Sequence, residues 1–181
     1  MNYSILEAIR KDGWYIAGIP EDRRTLDLCR IAVQSAHPKL SDTESILHYV
    51  PLALRSAELC QSAVSKDGCA LFDVPEKILT RELCLTAVKN YWKALAAIPS
   101  ALRDAEICSA AVRENGQALQ FVPRSLMTPT MLWEAIKTAP SALQFVPMEF
   151  RTVDICLYAG RRDISGAAAR SIPAEVLNRL L

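Results

Sequence analysis

Apolar and polar residues alternate along this chain in one phrase that keeps returning. In "TRELCLTAVKNYWKALAAIPSALR", residues 80–103, the apolar positions four, five, eight and nine are Leu83, Cys84, Ala87 and Val88. They fall on one side of a 3.6-residue period, which predicts an amphipathic helix with that face buried. The closing part of the phrase is also repeated, as "GQALQFVPRSLM" at 116–127 and "PSALQFVPMEFR" at 140–151. Val or Ile precedes proline at Pro20, Pro51, Pro75, Pro99, Pro123, Pro147 and Pro173, with successive spacings of 31, 24, 24, 24, 24 and 26 residues. Internal repetition at such a period signals stacked supersecondary units, each too small to bury its own apolar face.

Helix starts are written into the same phrase. Position one is Thr25, Ser56, Thr80, Asp104, Thr128 or Thr152, each able to accept from a first-turn amide. Position three is Asp27, Glu58, Glu82, Glu106 or Asp154, suited to the positive end of the helix dipole. Cations at position ten (Arg10, Lys89, Arg113, Lys137, Arg161) suit the opposite end. Gly13, Gly68 and Gly116 follow as expected left-handed caps. First helices are therefore expected near 26–36, 57–67, 81–91, 105–115, 129–138 and 153–161. "ALQFV" forms a second, shorter helix, and the proline turns the chain toward the next cap. Alanine at position eight (Ala8, Ala32, Ala63, Ala87, Ala111, Ala135, Ala159) lets neighbouring first helices approach closely. The expected fold class is all-α. It is an α-solenoid of about seven helix and short-helix units in a right-handed superhelix, one domain over 1–181. The units are about 1–24, 25–55, 56–79, 80–103, 104–127, 128–151 and 152–181, with residues 1–24 as the N-terminal end unit.

The pattern "ELCxxAVxxxGxALxxVPxxLR", seen at 58–79, 82–103 and 106–126 with small departures, resembles the repeats grouped as domain of unknown function 4116. That resemblance implies a helical repeat protein of the kind found in bacteria and protists, often host-associated bacteria. It brings no reaction and no catalytic residues. The leucine-rich variant repeat is similar in unit length but has a different proline pattern. The chain departs from its own consensus at Pro140, for Gly, and at Gly160, for Val.

Charge changes the picture little. Of 181 residues, 21 are basic and 20 acidic, so no global field recruits nucleic acid or anionic lipid. No run of 18 apolar residues and no cleaved-signal pattern is present, which points to a soluble chain that does not enter a membrane. Cys29, Cys60, Cys84, Cys108 and Cys156 occupy position five, where Ile5 and Leu132 stand in other units, so a small buried hydrophobe is the expected role. Thiols one unit apart lie about 9–10 Å from each other by helix packing distances, too far for a disulfide or a shared metal. Retained thiols fit a reducing compartment such as cytoplasm, and secretion into a host cell is left open. Cys69 stands off the pattern and is open to exposure and reaction. A Cys29 and His37 nucleophilic pair has no third partner dictated by spacing.

No cofactor, metal or catalytic constellation emerges, so a non-enzymatic role is expected. Basic rows at position ten and at position 24 (Arg24, Arg55, Arg103, Arg151) permit nucleic-acid binding as an alternative, though the net charge argues against it. The leading expectation is a protein–protein interaction scaffold, of which a host-associated bacterial effector or adaptor module is one form. Position six, set nearly opposite the buried stripe, turns apolar toward the C-terminus. Trp133, Leu157, the adjacent Tyr158 and, more weakly, Leu85 are thus candidate anchors, with Lys89, Arg113, Lys137 and Arg161 one turn away. A partner presenting an apolar patch bordered by acidic residues would fit. Self-association as a homodimer through the same row is the competing expectation.

Overall fold

A computed structural model describes residues 3–37, 44–163 and 165–177. Every regular element among these residues is helical, with no strand. The α-helices are α1 (Tyr3–Lys11), α2 (Leu26–Ser35), α3 (Ala57–Lys66), α4 (Arg81–Asn90), α5 (Ala105–Glu114), α6 (Pro129–Thr138) and α7 (Val153–Arg162), followed by the four-residue α8 (Ala167–Arg170) and α9 (Ala174–Leu177). From α2 to α7 each boundary falls within one residue of its expectation. Most of the insertion between Ala36 and Ser45 lies outside the described residues.

The caps explain that agreement. Thr25, Ser56, Thr80, Asp104, Thr128 and Thr152 each accept, through the side chain, from the amide three residues on, at 2.9–3.5 Å. Each helix then buries its stripe, as with Ile107, Cys108, Ala111 and Val112 on α5. The chain divides into two compact units, Met1–Ala97 and Ile98–Leu181. In the first, α1 packs on α2, α2 on α3 and α3 on α4. In the second, α5 packs on α6, α6 on α7 and α7 on α8. Within each unit the α-helices also rest on short helices of a tighter wind.

The second, shorter helix expected after each first helix takes a 3-10 wind. After each α-helix from α3 to α6 comes a six-residue 3-10 helix, then proline, then a three-residue 3-10 helix, for example Gly116–Phe121, Pro123 and Arg124–Leu126. A 3-10 wind suits short pieces that must end within two turns. At Val122, before the proline, φ is −80° and ψ 125°, the extended conformation that proline imposes on its predecessor. An Asx side chain starts several of these turns. Asp12, Asp67 and Asn115 accept through Oδ1 from the amides of Trp14, Cys69 and Gln117 at 2.9–3.0 Å.

The glycine expectation is corrected. Gly13, Gly68 and Gly116 are not left-handed caps, because the only positive-φ residue among those described is Gly166, at 72°. They instead begin 3-10 helices pressed against the next α-helix. A Cβ on any of them would stand closer than 3.0 Å to the carbonyl oxygen of Ala32, Ala87 or Ala135 respectively. Position eight alanine therefore meets a neighbour's glycine backbone, a closer approach than helix-to-helix contact alone requires.

The position-24 arginines, named above as a basic row, are half-buried staples donating to backbone carbonyls. Arg55 reaches Val50 O at 2.9 Å and Asp73 O at 2.5 Å, Arg103 reaches Ile98 O at 2.6 Å and Phe121 O at 3.1 Å, and Arg151 reaches Val146 O at 2.8 Å and Ser171 O at 2.7 Å. In every case the acceptors belong to the end of one short helix and the end of the next. Arg24 does the same with Ile19 O at 2.7 Å and Tyr49 O at 2.9 Å. A guanidinium with five fixed donors can satisfy two such ends at once.

Candidate functional site

Position six of one α-helix, together with positions three and seven of the next, lines a shallow groove on the surface. Between α2 and α3 this groove holds Arg30, Gln34, Glu58, Leu59 and Ser62, and an Arg30–Glu58 ion pair at 3.5 Å crosses it. Between α6 and α7 the same positions carry Trp133, Asp154 and Tyr158, joined by Leu157, Arg161 and Arg162 in an open recess.

The aromatic pair sets this recess. Trp133 and Tyr158 meet edge to face with centroids 5.7 Å apart, an arrangement favoured by the ring quadrupoles. The Arg162 guanidinium stands 4.6 Å from the Tyr158 centroid. Tyr158 and Arg162 are one helical turn apart, so their side chains share a face. Arg162 and Asp154 are the recess residues that periodicity did not single out as anchors or rim. The spacing from Tyr158 to Arg162 was the available signal.

Of the sequence-derived candidates, Trp133, Leu157, Tyr158 and Arg161 are brought together. The three apolar members are half-buried rather than fully outward, because the neighbouring helix covers one flank of position six. Trp133 also lines an adjoining recess with Leu132, Glu149, Phe150 and Ile155. It is the wall between the two. Arg113 lines a different recess, between α5 and α6, with Ser109, Thr130, Met131 and Glu134. Lys137 is exposed and pairs with Glu134 at 3.0 Å. Leu85, half-buried, and Lys89, exposed, sit on α4 in the first compact unit and line neither recess.

The cysteines are core residues. Burial pushes the thiols of Cys29, Cys60, Cys84, Cys108 and Cys156 above their ordinary range, the opposite of an activated nucleophile. Cys69, which stands off the position-five pattern, is 6% exposed, because its 3-10 helix turns it inward between α3 and α4. His37 is exposed while Cys29 has no solvent-accessible surface, so the sequence-suggested pair is not presented as a site. No described helix is long and apolar enough to cross a membrane.

The unit's caps, stripe and prolines are thus all in place around α4 and α5. Residues 80–127 match the family model described as Domain of unknown function (DUF4116). The DUF4116 match runs from the Thr80 cap through Pro99 and the Asp104 cap to the second 3-10 helix after α5. It bears out the resemblance read from the ELCxxAV phrase, and it ends before Trp133. Neither a curated protein nor a solved structure matches the chain.

Proposed function

We propose that this chain is a non-catalytic protein–protein interaction scaffold, built as a right-handed solenoid of about seven units, that recruits a partner on the outer surface of α6 and α7. The observation that carries the reading is the gathering of Trp133, Leu157 and Tyr158 beside Arg161 in one open recess. Aromatic anchors in partly desolvated pockets dominate the energetics of many interfaces, while rim charges set association rate and salt dependence. Buried thiols support a reducing compartment as the place of action. The nucleic-acid alternative loses one of its two basic rows, since Arg24, Arg55, Arg103 and Arg151 donate within the fold.

Affinity capture from lysate with wild type and with Trp133→Ala, followed by titration of the purified captured protein, tests this reading. The expected result is a stoichiometric complex weakened by about 2 kcal/mol or more in Trp133→Ala at unchanged helicity. Equal affinity for the two proteins would remove α6 and α7 as the surface.

A further inference from the structure

The recess between α6 and α7 is polarised along its length. Asp154 lines it in the first turn of α7, and Arg161 and Arg162 line it in the last. Leu157 and Tyr158 lie between them. Neither Asp154 nor Arg161 has an ion pair or side-chain hydrogen bond among the described residues. The equivalent groove between α2 and α3 instead neutralises itself through Arg30 and Glu58. An acid at one end, bases at the other and an apolar floor between define a complement.

We propose that this recess binds an extended peptide segment carrying a basic residue and an acidic residue on either side of apolar side chains. The proposal rests on the interaction reading above and narrows it, because Asp154 requires a cation that a uniformly acidic border would not supply. Seven residues of α-helix separate Asp154 from Arg161, about 10 Å at 1.5 Å per residue. An extended peptide covers that distance in about three residues. The basic residue therefore sits about three positions from the acidic one, with the apolar side chain between them meeting Trp133, Leu157 and Tyr158.

Fluorescence anisotropy with three labelled peptides tests this, with serine-rich flanks around Lys-Leu-Phe-Glu, Glu-Leu-Phe-Glu or Lys-Leu-Phe-Lys. Wild type should bind the mixed-charge peptide about fivefold more tightly than either other peptide, the scale of one exposed ion pair. Asp154→Lys should transfer the preference to Glu-Leu-Phe-Glu, and Arg161→Glu combined with Arg162→Glu to Lys-Leu-Phe-Lys, both at unchanged circular dichroism. Binding of none of the three, or a charge preference that the swaps leave in place, would overturn the proposal. So would a wild-type dimer in sedimentation that Arg161→Glu dissolves, which would assign the recess to a second copy. If the peptides fail while lysate capture still depends on Trp133, the motif falls and the interaction reading stands. If capture does not depend on Trp133, that reading falls by itself.

Discussion

The grooves between α2 and α3 and between α6 and α7 occupy the same positions of the repeated phrase yet differ in chemistry. Arg30 at position six pairs with Glu58 at position three in the first, and Trp133 faces Asp154 and Tyr158 in the second. Behind both, the buried stripe is nearly the same, Leu59, Cys60, Ala63 and Val64 on α3 against Ile155, Cys156 and Ala159 on α7. Stability therefore resides in what the two regions share, and any specific recognition resides in what they do not. A half-buried aromatic cluster is not needed to close this groove, since an ion pair does so elsewhere.

The shared part should give the largest effects. Gly68→Ala and Gly116→Ala each place a Cβ against a carbonyl of the next helix, so each should cost about 2–4 kcal/mol in denaturant unfolding. Gly18→Ala, which meets nothing within 4 Å, is the control and should be near neutral. If Gly68→Ala were also neutral, the close approach would not be what holds the 3-10 helix Gly68–Asp73 against α4. Next come the staples. Arg151→Met leaves the carbonyls of Val146 and Ser171 without their donor and should cost about 1–3 kcal/mol. Arg30→Met breaks only an exposed pair, and a loss above about 1 kcal/mol would contradict the contrast between the two arginine classes.

Cys108→Ser buries a hydroxyl in place of a thiol and should cost about 1–3 kcal/mol. The six free thiols should react with a bulky reagent only on unfolding, and rapid native labelling would overturn their placement in the core.

What the sequence made legible, and what it did not, follows from range. Caps such as Thr80 and stripes such as Leu83, Cys84, Ala87 and Val88 depend on residues within one or two turns, so the helices were readable. Gly116 depends on the Ala135 carbonyl and Arg103 on the Phe121 carbonyl, both some 18–19 residues away along the chain. No local rule carries that information. A weaker signal did exist for the staples. Position 24 is Leu79 and Met127 in other units, both half-buried, which marks a site that faces inward. At the candidate site, position six lies nearly opposite the stripe on an isolated helix at about 100° per residue, but the adjacent helix covers one of its flanks, a long-range contact that a single helix's periodicity does not encode. Trp133 and Leu157 therefore stand in a recess instead of on an open face.

A smaller effect tests the segment that follows α7. Asp163 is held below the usual carboxylate range, first by the amide of Ala168 and then by Ser165. A group with a depressed folded pKa stabilises above its unfolded pKa of about 3.9 and loses that contribution as pH falls through the folded value. Acidification below about pH 4 should loosen the Asp163–Ala168 turn, as read by amide exchange at Ala168, and Asp163→Asn should flatten that pH response. Equal pH dependence in both proteins would contradict the assignment.

The contrast between the two grooves is tested most directly by calorimetric titration of the captured partner into wild type, Trp133→Ala and Arg30→Ala. The account predicts that Trp133→Ala weakens binding by about 2 kcal/mol or more while Arg30→Ala binds as wild type does. Equal losses in both variants, or none in Trp133→Ala, would contradict it.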